Sequence, residues 1–232
     1  MKITKYNSQE RGHTSIGWLE SWHSFSFGSF YHPGLMGFGN LRVLNDDTVA
    51  PGMGFAKHPH DNMEIISIPL EGELQHNDST GKSSIIRQGD VQIMSAGTGI
   101  LHSEKNASSK NPVKFLQIWI LPEKRGISPR YDQRSFPREN RMNFLKTVVD
   151  PHGKDGVQIN QQAWLHLGSF DRKDKIEFSV KKKGNRLFLF VIEGQVTVND
   201  EQATRRDALG ITHFEKISAD VYPGSELLFI EL

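Results

Sequence analysis

Four side chains in this sequence are spaced so that they can converge on one cation. His58 and His60 sit two apart in GMGFAKHPHDNMEIISIPLEG, residues 52–72, and His102 and Glu104 sit two apart in GDVQIMSAGTGILHSEKN, residues 89–106. On an extended strand residues i and i+2 share a face. Each pair therefore presents two donors to one point, and two neighbouring strands would bring all four together. Three imidazoles and one carboxylate suit Fe, Mn, Ni, Co, Cu or Zn rather than Cu(I), and Ca²⁺ would want mostly oxygen ligands. Four protein ligands on an octahedral ion leave two positions for water, O₂ or a bidentate substrate, which a closed structural zinc site does not have. A lone His-x-His is a weak signal, because histidines stand on polar strand faces for many reasons. The second pair, and the glycines around both, make it specific.

The elements that must position these donors are short and β-rich. Runs at 41–43, 64–70, 84–86, 91–94 and 115–121, then at 164–167, 176–180, 187–192, 195–198 and 227–232, are rich in Ile, Val, Leu and aromatics. Gly, Asp, Asn and Ser clusters separate them at the spacing of a sandwich or barrel, and no long amphipathic helix is evident. A weak internal repeat divides the chain. Leu70-Glu71-Gly72-Glu73-Leu74 and Ile192-Glu193-Gly194-Gln195-Val196 each place a glycine between two strands, followed by Asn77-Asp78 and Asn199-Asp200. Two related β-barrels in tandem is the economical reading, with an N-terminal metal-binding unit over 1–130 and a C-terminal unit over 131–232. The segment 122–137, charged and holding three prolines, is expected to be a linker.

Composition excludes several chemistries. There is no cysteine, so disulfides, thiolate metal sites and cysteine nucleophiles are ruled out. The net charge of +1 gives no global attraction to nucleic acid or an anionic membrane, and the run Lys181, Lys182, Lys183 is expected to be a solvated turn. With no apolar signal core near residue 1 and no apolar stretch long enough to span a bilayer, the chain is expected to be cytoplasmic.

The same residues resemble the cupin signature. Gly52, His58, His60, Glu64 and Gly72 fit its first motif, and Gly89, Gly97, His102 and Asn106 fit its second, with Ser95 in place of the usual proline and two extra residues before His102. HPHDNMEII, EGELQHNDSTG, QIMSAGTGILHSE, LQIWILP and residues 17–47 together resemble the pirin family, densely over about the first 130 residues and more loosely after that. The resemblance is close to bacterial members described as quercetinases. It implies an all-β bicupin, two jelly-roll barrels, with the metal in the first and ligands matching His58, His60, His102 and Glu104. Glu64, a ligand in many cupins, is expected here to play a supporting role without touching the ion. The repeat places Val180, Lys182, Ala219 and Val221 opposite the four donors, so the second barrel is expected to be metal-free, with His152, His166 and His213 structural or on the surface. Trp18, Trp22, Phe25, Phe27, Phe30, Tyr31 and Phe38 are expected to form core and barrel lid; the lesser alternative has some of them line an apolar mouth for a flat aromatic substrate, with His23 and His32 at its rim.

Two functions follow from the resemblance. One is a dioxygenase that opens the ring of a flavonol such as quercetin with O₂, with Glu104 both ligand and base for the 3-hydroxyl proton. Fe(II) is the expected ion, one per chain, because O₂ chemistry needs a redox-active centre or a substrate that supplies the electron. The other is an iron-dependent regulator that binds a protein partner. Sugar isomerisation, known for other metal cupins, has no specific support. No DNA-reading element is present for direct nucleic-acid binding.

Overall fold

The computed structural model describes residues 1–232 and consists almost wholly of β-strands, with two 3-10 turns, Ser8–Glu10 and Arg138–Arg141, and no α-helix. No helix is long and apolar enough to cross a membrane. The expected all-β, two-barrel architecture is observed.

The chain forms two compact units, and a single cut between 130 and 131 does not separate them. One unit holds residues 11–136 and 157–161; the other holds 1–10, 137–156 and 162–232. Strand pairing explains the difference. Lys2–Tyr6 pairs with Ala208–Thr212, so the first residues edge a sheet of the second barrel. In the first barrel the corresponding edge is Arg130–Ser135, which pairs with Asp90–Ser95. The segment expected to be a linker therefore contains a strand. It lacks an apolar pattern because its work is polar: Gln133 Nε2 donates to Ile85 O at 3.0 Å and to Asp90 Oδ2 at 2.9 Å. Residues 157–161 join the first barrel through Asn160, whose N–H donates to Glu64 Oε2 at 3.2 Å.

The first barrel is a large sheet facing a small one. The large sheet runs Arg130–Ser135, Asp90–Ser95, Glu64–Glu71, Val113–Ile120, Leu41–Val49, Leu19–His23, Gly12–Ser15; the small one runs Gly54–His60, Ile100–Asn106, Glu73–Asp78, Ser83–Arg87. All pairings are antiparallel. Leu74, Ile86, Val113 and Phe115 pack a hydrocarbon cluster, each fully buried side chain of this kind contributing about 1.5–3 kcal/mol. The strand expected at 41–43 extends to Val49. Its continuation, NDDTV, looks unlike a strand because Asn45 and Asp47, both 2% exposed, are polar side chains turned inward.

The second barrel repeats the plan. Its large sheet includes Lys2–Tyr6, Ala208–Thr212, Leu187–Glu193, Ser225–Glu231, Trp164–Phe170 and Lys146–Asp150; its small sheet runs Asp174–Ser179, Lys216–Val221, Gln195–Val198, Glu201–Thr204. The glycines of the repeat occupy the same conformation, φ 79° at Gly72 and 75° at Gly194. An added Cβ would lie 3.2 Å from Val113 Cα at the first and 2.7 Å from Ser225 Cα at the second. Both hairpins thus need a residue without a side chain. Lys181–Lys183 forms an exposed turn as expected.

Candidate metal centre

Two neighbouring strands of the small sheet, Gly54–His60 and Ile100–Asn106, carry the four predicted donors. The register sets His102 opposite His58 and Ile100 opposite His60, then shifts, so that Glu104 faces Phe55. The extra residue is a β-bulge. Within it, His58 Nδ1 lies 2.7 Å from Ala56 O. A carbonyl only accepts, so Nδ1 is the donor in this bond, which turns Nε2 to the outer side of the ring as the atom able to ligate.

The three imidazoles converge. Ring centroids are 4.9 Å apart for His58 and His60, 4.4 Å for His58 and His102, and 4.9 Å for His60 and His102. One ring nitrogen from each lies within 4.8 Å of the others. His102 is buried, and neither of its ring nitrogens has a hydrogen-bond partner. Burial, followed by the neighbouring rings of His58 and His60, pushes its pKa down to about 2. Burial and then His58 push His60 down to about 4. Neutral rings with unshared lone pairs are what a cation requires. An orphaned buried polar atom costs about 1–3 kcal/mol, so the donor set fits a transition metal ion.

Glu104 is only 2% exposed and joins a different donor group, with His102 and His76 rather than with His58 and His60. Both of its oxygens are held: Ser67 Oγ donates to Oε1 at 3.1 Å, and Gln117 Nε2 donates to Oε2 at 2.6 Å. Glu64 belongs to neither donor group. Its Oε2 accepts from Ser95 Oγ at 2.8 Å, so the serine standing where proline is usual in the cupin motif holds this carboxylate in place. Burial raises the Glu64 pKa.

Sequence reasoning missed the polar row beneath the donors. Across the large sheet the register aligns His23, Asn45, Gln117, Ser67, Gln92 and Gln133. His23 is 2% exposed and bonded through Nδ1 to Asn45 Oδ1 at 2.9 Å, which removes it from the rim that the lesser alternative gave it. Of the aromatics expected as core or lid, Phe25 and Phe38 are buried, whereas Trp22 and Tyr31 are exposed at 37% and 72%. A signal was available, since period-2 polar residues within apolar strands mark a polar interior. His76 also went unremarked; it pairs directly with Glu104.

A cavity of about 440 Å³ lies beside His60, lined by residues that include Pro59, Asp61, Ser79, Ile100 and Leu101. Its volume lies in the range of small-molecule sites. Trp119 meets His60 edge-on at 4.9 Å and Phe27 at 5.4 Å, adding aromatic surface near the donors.

A pirin family model matches residues 5–120, and a model described as the quercetinase C-terminal cupin domain matches residues 147–232. The quercetin 2,3-dioxygenase of Escherichia coli K12 is 41% identical over 226 residues, covering 97% of this chain and 96% of the relative. The crystal structure of YhhW from Escherichia coli matches with a TM-score of 0.95 at 40% identity, covering 100% of this chain and 97% of that one. A crystal structure of the bacterial pirin YhhW from the same organism in complex with nickel(II) matches with a TM-score of 0.94 at 39% identity, covering 100% and 99%.

Proposed function

This chain belongs to the pirin family, and from that premise we propose that it is a metal-dependent dioxygenase that opens the ring of a flavonol such as quercetin with O₂. One ion, Fe(II), is held by His58, His60, His102 and Glu104. The observation that carries the reading is the convergence of three imidazoles, His102 with both nitrogens unpartnered, beside a cavity of substrate size. When bound, the ion supplies a Lewis-acidic, redox-active centre with positions open to substrate and O₂.

The chain's own residues do the rest. The cavity beside His60 takes a flat aromatic ring system, and Trp119 packs edge-on against His60. Glu104 is the acceptor for the substrate's 3-hydroxyl proton. Ser67 and Gln117 hold its two oxygens and fix it facing into the barrel.

Glu104→Gln keeps the shape and removes the base. Flavonol turnover per bound metal should fall by about 10²–10⁴-fold, the usual general-base contribution. Turnover per metal equal to wild type would remove Glu104 from that role. If protein reconstituted in turn with Fe, Mn, Co, Ni and Cu shows no flavonol-dependent O₂ uptake, the dioxygenase reading gives way to a metal-dependent regulatory role.

A further inference from the structure

Of the four first-barrel histidines outside the four-ligand set, His13, His23, His32 and His76, only His76 shares a donor group with two of the proposed ligands. His76 lies on Glu73–Asp78, fully buried and directly opposite Glu104 in register. Its Nε2 is 3.1 Å from Asp78 Oδ2. Asp78 Oδ1 also accepts from the Thr80 hydroxyl and from the N–H groups of Thr80 and Lys82. An ionised carboxylate only accepts, so Nε2 of His76 carries the proton and Nδ1 keeps a bare lone pair. That Nδ1 is buried and has no hydrogen-bond partner. A histidine held through one nitrogen by a carboxylate, with the other free, is arranged as metal-ligating histidines are.

Two further observations point the same way. Ligating atoms of His76, His102 and Glu104 lie within 4.8 Å of one another. Gln92, 1% exposed, has both its amide nitrogen and its amide oxygen unpartnered. It is next to Ser67 in the cross-strand row, and Ser67 donates to Glu104. Unpartnered polar atoms thus come from the strand paired with that of Glu104 and from a strand of the facing sheet.

We propose that the first barrel contains a second, inner seat for a divalent ion, formed by His76, His102 and Glu104, which the ion occupies by exchanging His58 and His60 for His76. The proposal rests on the reading that His58, His60, His102 and Glu104 hold one ion. Both seats use His102 and Glu104, so they are alternatives and the capacity stays at one ion per chain. Ordered water would satisfy the same orphaned atoms, and the test must separate it from an ion.

The test uses the full chain carrying His58→Ala and His60→Ala. Titration with Ni(II) against a competing chelator should find one equivalent bound, about 10²-fold or more weaker than wild type. Loaded with Cu(II), the same folded variant should show two coordinated imidazoles by pulsed EPR, those of His76 and His102. Adding His76→Gln should weaken Ni(II) binding by a further factor of about ten or more, whereas in the wild-type background it should change affinity by less than about threefold. No measurable binding in the double variant, a single coordinated imidazole, or indifference to His76→Gln would overturn the inner seat and leave the four-ligand reading standing. Failure of wild type to bind, or a double variant that binds as tightly as wild type, would instead overturn the four-ligand reading and the inner seat with it.

Discussion

In the first barrel one cross-strand row runs His23, Asn45, Gln117, Ser67, Gln92, Gln133; in the second, the row in the same register is Thr147, His166, Phe229, Leu189, Leu209, Lys5. Gln117, Ser67 and Gln92 become Phe229, Leu189 and Leu209, all members of one hydrocarbon cluster. Ala219 and Val221, which the repeat sets opposite His102 and Glu104, belong to that cluster as well. Val180 packs against its edge, and Lys182 is exposed. The same sheet pairing therefore encloses a polar chamber in one unit and a filled core in the other. A barrel interior becomes a site when its row can hydrogen-bond a carboxylate such as Glu104; otherwise apolar side chains close it. On this comparison we propose that the second barrel is metal-free. His166, its one polar survivor in the row apart from the two ends, bonds to Thr147 Oγ1 through Nδ1 at 3.1 Å. Burial pushes its pKa down to about 3.

The comparison breaks most visibly at His102, which belongs to both donor groups of the first barrel. His102→Ala should reduce bound metal from about one equivalent to under about a tenth, because neutral imidazole is the dominant ligand type here. Elemental analysis after desalting checks this. His166→Ala in the second barrel should leave metal content unchanged, and metal lost from that variant would show a second site that the filled core argues against.

Stability should respond in the opposite sense. Phe229 is fully buried against Leu189 and Phe178. Phe229→Ala should cost about 3–5 kcal/mol in urea unfolding. Gln117→Ala, at the matching position of the first barrel, removes a hydrogen bond to Glu104 and should cost only about 1–2 kcal/mol of the metal-free protein. Equal costs would mean that the two interiors are packed alike.

Much of this was legible in the sequence, and what was not has physical causes. The i, i+2 pairs identified the strands that carry the donors, and the Gly72 and Gly194 hairpins identified the repeat. The strand Arg130–Ser135 was hidden because an edge strand whose inward side chains are Tyr131 and Gln133 has no apolar period. Exchange of the first residues into the second barrel was hidden because KITKY carries no sign of which sheet it will edge. The grouping of Glu104 with His76 depends on the register of Ile100–Asn106 against Glu73–Asp78, and nothing local to either strand specifies that register.

The sharpest test of the polar interior concerns Asp47. It faces into the first barrel at 2% exposure and accepts a hydrogen bond from Ser21 Oγ. It lines a cavity of about 160 Å³ shared with His23, Asn45 and Gln117. Register sets it opposite Phe115, and the matching partner of Leu227 in the second barrel is Gly168, which has no side chain to ionise. Burial pushes the Asp47 carboxyl up to about 7, with Glu104 and Asp46 adding to the rise against the bond from Ser21. The folded pKa is above the unfolded value of 3.8, so the folded state binds the extra proton between those limits. Stability therefore falls as pH rises from about 4 to about 7. Asp47→Asn removes this dependence. In metal-free protein its advantage over wild type should grow by about 2–3 kcal/mol between pH 5 and pH 8, since each pKa unit is worth about 1.4 kcal/mol. Half-buried His60 and buried His102 titrate with the opposite sign, losing stability as pH falls below about 6.5, so the difference between variant and wild type isolates Asp47. Loading the metal should shrink the growth, because a cation held by Glu104 offsets the carboxylate charge that helps to raise Asp47. A variant whose advantage is the same at both pH values would show that Asp47 is hydrated in the folded chain and that the interior is wetter than its burial implies.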